Sequence, residues 1–322
     1  MSLVDTVGIA EESTYGTILA PTKFHEFLEE SIVAAEEDVK SAAVPLGRRL
    51  LSSSRWAQGR AGAEGGLSLE YLNKGCSYLW KHILGSQSTI VVSGVPGARK
   101  AVLGDLFGKS LTLQKSIGRV NGSSVDALTY AGGKVLEWEL ANEVDGILGL
   151  SLGLDFQKED TATARTTPTY TASTIPFVWT GGVIQVAGAD FPVRNVSFQG
   201  NNGFKTDRYL LKSANSRLKS EPVSVSRPTI QGELVAEFDG LTPYQRFKNG
   251  TLATLKATWT TPGVEISAGK PYMLEVSCGA VRFTGSTPQS AGEDLNEQSL
   301  PFEVLDDGTV DGGFVVITHE DT

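Results

Sequence analysis

Short runs of alternating apolar and polar residues, broken by clusters of Gly, Asn, Asp and Pro, recur along the 322 residues of the chain. This period of two constrains the fold more than any other feature. Successive side chains of a strand leave on opposite faces, so each run makes one face for a core and one for water. The run 65–71 is the clearest, with Leu67, Leu69 and Tyr71 on one face and Ser68 and Glu70 on the other. In 135–140, Leu136, Trp138 and Leu140 oppose Glu137 and Glu139. Helical spacing is scarce; it appears in 74–84, where Cys76, Leu79, Trp80 and Ile83 recur at intervals of three and four and Gly85 is placed to stop the helix. The pattern predicts an all-β fold with minor α.

An internal repeat sharpens that expectation. With a constant shift of 167 residues, Glu70 meets Glu237, Tyr71 meets Phe238, Trp80 meets Phe247 and Lys81 meets Lys248. A polar segment with scattered Arg and Lys precedes both copies, and a Gly-led strand (133–138 and 279–283) and a closing strand (148–156 and 298–305) follow. The spacing predicts a tandem duplication of an all-β unit, each copy with one helix and a long polar arm loop. The first domain is 1–165, with its arm at about 36–62 and helix at about 74–84. The second is 177–322, with its arm at about 200–228 and helix at about 242–249. Between them, 166–176 is read as a linker, since 161–176 holds seven threonines and two prolines, residues that punctuate rather than pack. The segment 86–108 has no counterpart and is read as a variable loop.

Charge and motif content narrow the function. No apolar run approaches the roughly 20 residues that cross a bilayer, and the opening Met1-Ser-Leu-Val-Asp5 has neither a basic start nor an apolar stretch, so neither membrane insertion nor secretion is expected. Two cysteines, Cys76 in the expected helix and Cys278 in a strand, suit a reducing cytoplasm. The net charge of −9 opposes phosphate binding, so DNA that meets this surface should slide rather than stick. The string Gly149-Leu-Ser151-Leu-Gly153 has the form of a nucleophile elbow, but it lies in an alternating run and only His319 follows it, which makes Ser151 a strand residue. His25-Glu26 lacks a second histidine four residues on, and His25, His82 and His319 are far apart, so no metal or cofactor is expected; His25 is read as a surface residue. Asp306-Asp-Gly308 and Asp311-Gly-Gly313 read as a turn between strands. No catalytic set emerges, and the chain is not read as an enzyme.

The most unusual local feature is basic residues interleaved with aromatics: Arg48, Arg49, Arg55, Trp56 and Arg60 in the first arm, Lys205, Arg208, Tyr209 and Arg217 in the second. Such a set can face nucleic acid, form a solvated loop, or anchor a protein interface. An acidic run, Glu26 to Asp38, lies just upstream. Adjacent blocks of opposite sign suit head-to-tail stacking of subunits, with these nine residues as inter-ring contacts.

Several strings resemble the tail tube proteins of siphophages, especially those of actinobacterial hosts: Val7-Gly-Ile-Ala-Glu-Glu-Ser-Thr-Tyr-Gly-Thr17, Gly47-Arg-Arg49, Arg55-Trp56, Asn202-Gly-Phe-Lys-Thr-Asp-Arg-Tyr209, Tyr244-Gln-Arg-Phe247, Asn249-Gly-Thr251 and Gln298-Ser-Leu-Pro-Phe302. The resemblance covers nearly the whole chain, and its weight lies in the number and order of the strings. It implies a major tail tube subunit built as a tail-tube β-sandwich or barrel with one flanking helix, here tandem-duplicated, whose inner sheets join into rings around a lumen, the rings stacking into a DNA conduit. Its partners would be other copies of itself, a tape measure protein, a tail terminator and tail-tip proteins, in a virion tail assembled in the host cytoplasm. With two copies per chain, three chains would make a ring with six quasi-equivalent positions. On the polar strand faces, Glu70, Glu237, Glu137 and Glu139 are the expected lumen lining. Two other readings stand beside this one: another virion or secretion structural protein, such as a type VI tube or capsid decoration subunit, and a carbohydrate-binding or hydrolytic β-sandwich, which would need a groove of exposed aromatics.

Overall fold

The computed structural model describes residues 5–43, 49–120, 124–211, 217–285, 287–288, 290 and 295–321. The first group of elements is β1 (Thr6–Glu12), β2 (Lys23–His25), β3 (Glu29–Glu30), β4 (Val33–Lys40), β5 (Trp56–Glu70), α1 (Leu79–Leu84), β6 (Gly85–Thr89), β7 (Arg99–Leu103), β8 (Ser110–Gly118), β9 (Val125–Glu143), β10 (Gly149–Phe156) and β11 (Lys158–Asp160). The second is β12 (Gly182–Val186), β13 (Ala189–Asp190), β14 (Asn195–Asn201), β15 (Phe204–Lys205), β16 (Val223–Ser224), β17 (Thr229–Glu237), α2 (Thr242–Asn249), β18 (Ala253–Ser267), β19 (Lys270–Phe283), β20 (Glu297–Leu305) and β21 (Phe314–His319). The chain is therefore all-β with minor α, as the alternation predicts.

The two groups pair their strands in the same order. In the first the lateral order is β2–β1–β8–β9–β10–β5–β4, with β11 following β10 along β9 and β3 preceding β4 along β5. In the second it is β13–β12–β18–β19–β20–β17–β14, with β21 beside β20 along β19. Registers correspond as well. Leu67 lies opposite Leu152 as Leu234 lies opposite Leu300, and Val135 opposite Leu154 as Phe283 opposite Phe302. The expected variable loop is instead ordered as the hairpin β6–β7, and β7 pairs with β21 of the second group.

The long strand β9 turns a corner between two layers. Its first part pairs with β8 and β11, its second with β10 and β14. The turn falls at Gly132-Gly133: Gly132 has φ +71°, and a Cβ on Gly133 would meet the Phe156 ring at 2.6 Å. Only glycine holds that corner without displacing the core. Between the layers lies one continuous cluster that takes in Val7, Ile9, Leu67, Leu69, Trp80, Leu150 and Leu152 from the first group and Phe198, Leu234, Trp259, Leu300 and Phe314 from the second. The groups are not separate bodies with separate cores: Trp138 packs edge-to-face with Trp80 at 5.5 Å and, tilted, with Phe314 at 5.8 Å between ring centroids.

Other expectations need correction. The first arm is a β-hairpin, β4–β5, rather than a loop, because Val33 to Lys40 find ladder partners from Glu64 to Trp56. The first helix starts at Leu79, not near 74, and Cys76 precedes it in a turn; Gly75, at φ +84°, does not continue a helix. Phe177, the first residue after the expected linker, is buried against Tyr71 in the first group's core. His25 is not on the surface. It is 5% exposed, and its Nε2 lies 2.8 Å from the Tyr78 hydroxyl.

Burial pulls the His25 imidazole down to about 4, with Lys23 adding to the effect. The folded state thus holds His25 neutral, while the unfolded chain takes up a proton near its ordinary value of about 6.5. Stability from this group is full above pH 6.5 and is lost as pH falls toward 4, by about 3 kcal/mol. Urea unfolding from pH 7.5 to 4 should show this decline, and His25→Gln should flatten it.

Candidate functional site: the acidic sheet face and the arms

Direct cross-strand partners share a sheet face, so the registers fix which side chains stand together. Ser68, Ser151, Glu139, Gln199, Gln231 and Glu303 form one row across β5, β10, β9, β14, β17 and β20. Gly66, Gly153, Glu137, Asn201 and Thr229 form the next. By alternation Glu70 and Glu237 fall on the same face. All four glutamates singled out in the sequence therefore share the side turned away from the core. Glu29, Glu143, Glu233, Glu297 and Glu303 join them, and sequence reasoning missed these. The alternation of 195–201 and 297–305 carried the signal, but nothing in it said that β14 would lie beside β9.

Basic residues on this face are few. Arg194, at the head of β14, pairs with Glu237 and Glu297, at 3.0 Å each, and Arg282 lies opposite Glu303. The face carries a shallow polar depression of about 490 Å³ lined by Ser68, Glu137, Glu139, Ser151, Gln199 and Gln231. Beneath it, Trp138 is 3% exposed. A Cβ on Gly200 would come within 2.3 Å of the Trp138 ring nitrogen, so glycine there lets β14 close over the indole. Trp80 and Trp259 are also core, and the exposed tryptophans Trp56 and Trp179 line no part of the depression. This is not the aromatic platform that a sugar ring needs. Ser151 stands mid-strand with its Oγ 3.0 Å from Ser68 Oγ.

The two arms fold against each other. Arg217 reaches the Gly59 carbonyl at 2.7 Å, Gln58 Oε1 at 3.1 Å and Glu36 at 3.0 Å. The Ala61 N–H donates to the Arg217 carbonyl, and the Tyr209 hydroxyl donates to the Ala61 carbonyl. Arg60 pairs with Glu37 at 2.5 Å, which holds that exposed carboxyl below its usual range, and its guanidinium lies 5.7 Å from the Tyr209 ring centroid. Arg208 donates to the Glu221 carbonyl and Lys205 pairs with Asp207. Of the nine arm residues expected at inter-ring contacts, Arg60, Lys205, Arg208, Tyr209 and Arg217 thus have partners within the chain. Arg55 ends a 3-10 turn directly before β5, Trp56 is half exposed, and Arg49 is exposed; Arg48 lies outside the described residues.

Two buried ion pairs anchor the base of the second arm to the first group. Lys219 meets Asp155 at 2.5 Å with both side chains 5% exposed, and Lys134 meets Glu221. Burial pushes the Asp155 carboxyl above its ordinary range even with the ammonium against it. Breaking such a pair strands a buried charge, whereas replacing both members with apolar groups removes that cost. Lys219→Met should therefore lower stability by about 3–5 kcal/mol, and Asp155→Leu in the same chain should restore most of it, as read by chemical denaturation.

Among the described residues, no group of three or more His, Cys, Asp or Glu side chains is arranged to hold a metal ion. What the geometry presents is structural: an acidic sheet face, paired arms and strand edges. The family model described as phage tail tube protein matches residues 5–304, nearly the whole chain, and the chain belongs to that family. It is a structural subunit of a bacteriophage tail, a component of the virion that self-assembles into a tube. No curated protein matches the chain.

Proposed function

We propose that each chain fills two of six quasi-equivalent positions in a tail tube ring, that three chains close the ring, and that stacked rings form the conduit for DNA ejection from a siphophage. The observation that carries this reading is the repeated strand order together with the β9–β14 ladder, in which two like sheets are already joined edge to edge in one polypeptide. Edges of this kind aggregate unless they are closed, and a ring closes them. The units of the duplication are taken as 1–165 and 177–322. Mass measurement of isolated rings should give three chains; six would refute the duplication as the basis of the ring. Micrographs of concentrated protein with its tape measure partner should show hollow rods, and a capsid decoration subunit would form none.

In this reading the acidic face lines the lumen and the arm tips, with Arg48, Arg49, Arg55 and Trp56, contact the next ring. An acidic wall repels phosphate, and the Debye length of about 8 Å at physiological salt confines the repulsion to DNA close to the wall. That is enough to prevent sticking without barring passage. Changing Glu70, Glu137, Glu139 and Glu237 together to Gln should leave tubes intact and slow genome ejection from reconstituted virions. Unchanged ejection would count against this lining.

A further inference from the structure

Four charges at the base of the second arm form a code. On the body, Lys134 of β9 and Asp155 of β10 are direct cross-strand partners, so they stand side by side on one sheet face. On the arm, Lys219 and Glu221 are two residues apart. Leu218 beside them bridges to Ala61 as a strand residue does, and residues two apart in a strand leave the same side. Each body charge meets its opposite: Lys219 lies 2.5 Å from Asp155, and Glu221 pairs with Lys134. A slip of the arm by two residues would set Glu221 against Asp155 in one direction and Lys219 against Lys134 in the other. Like charges would then meet in a buried place, so the code permits one register.

The same four charges also match within each segment. Lys134 and Asp155 are opposite in sign across the ladder, and Lys219 and Glu221 are opposite in sign on one side of the arm. An arm that lifts therefore leaves each charge a partner on its own segment. The stranded charge that makes breaking a buried pair costly does not arise. Closure, in contrast, leaves polar atoms unsatisfied. Asp155 Oδ2 and the Tyr15 hydroxyl are buried with no hydrogen-bond partner among the described residues, and a buried polar atom left so opposes the state that buries it. Burial pushes the Tyr15 hydroxyl up, with Asp155, Glu221 and Glu12 adding to the effect. Burial also raises the Asp155 carboxyl, against the pull of Lys219 and with a further push from Glu64. The remaining ties of residues 217–221 include Arg217 to Glu36, partly open to solvent, the Gln157 side chain donating to the Lys219 carbonyl at 2.9 Å, and the Gly108 N–H donating to Glu221 Oε1 at 2.7 Å.

We propose that residues 217–221 are a strap with two states, closed over β9 and β10 through Lys219–Asp155 and Glu221–Lys134, and lifted with Lys134–Asp155 and Lys219–Glu221 paired instead. The rest of the chain stays folded in both. The strap thus covers or uncovers the sheet face beneath it by exchanging partners, and this holds whatever the number of chains in a ring.

Hydrogen exchange of the full-length protein reads the two states. The Ala61 N–H donates to the Arg217 carbonyl, and the Gly108 N–H to Glu221, so both amides exchange when the strap lifts. In the wild-type protein they should exchange together and faster than the amides of the β9–β10 ladder. Exchange at the same rate as that ladder would mean that the arm leaves only on global unfolding and would overturn the strap. Asp155→Lys combined with Lys219→Asp keeps opposite charges in contact when closed but sets like charges side by side on each segment when lifted. Like-charge neighbours disfavour the lifted state, so Ala61 exchange should slow about tenfold while the ladder amides are unchanged. Unchanged or faster Ala61 exchange over an unchanged ladder would overturn the exchange of partners. A salt series on the wild-type protein tests the same point without a variant. Charges that are paired in both states make Ala61 exchange nearly independent of salt, whereas charges left alone on opening would be stabilised by counter-ions. Steep acceleration by salt would overturn the re-pairing.

Discussion

The structure depends on satisfying strand edges. A buried backbone N–H or C=O without a partner costs as much as a lost hydrogen bond, and a chain built from two like sheets has twice as many edges to cover. The β9–β14 ladder, seven residue pairs from Asn195–Glu143 to Asn201–Glu137, covers two of them at once. It also lines up the polar faces of both strand groups, so the acidic residues of β9, β17 and β20 become one surface. The corner at Gly132-Gly133 is what lets β9 serve both layers, pairing with β8 before the turn and β14 after it.

Around that ladder the two groups are made inseparable. β7 of the first pairs with β21 of the second, Phe314 packs on Trp138, and Phe177 completes the core beside Tyr71. The second arm returns to the first group through Lys219 and Glu221, whose charges meet Asp155 and Lys134 in the interior. Charges buried this deeply add little net stability beside a well-packed apolar alternative. They do fix where the arm begins, and Arg217 then ties its return to the Glu36 edge of the hairpin. Exposed pairs such as Arg119 with Asp126 are worth far less, because water and salt screen them.

Much of this was legible in the residues. The alternation at 65–71 and 135–140 placed Leu67, Leu69, Trp138 and Leu140 inside and the intervening glutamates outside, because a strand has only two faces. The 167-residue shift found β17 from β5 and α2 near α1. Past residue 86 the hairpin β6–β7 changes the offset, so the later strands correspond by order rather than by that shift. His25 was misread because a three-residue strand shows no periodicity of its own; its burial comes from Tyr78, 53 residues away. Arg217 and Tyr209 gave no local sign of their partners, because Glu36, Gly59 and Ala61 lie more than 100 residues before them.

The sequence alone determined the class of fold, the two-faced strands, the acidic balance and the family strings, all of which are local properties of short segments and their order. Tertiary structure alone decided that β14 lies on β9, that Phe177 belongs to the first core and that the arms meet. Those outcomes depend on which edges and cavities remain open after each sheet has formed. That is a property of the whole assembly of strands and is written in no single one of them.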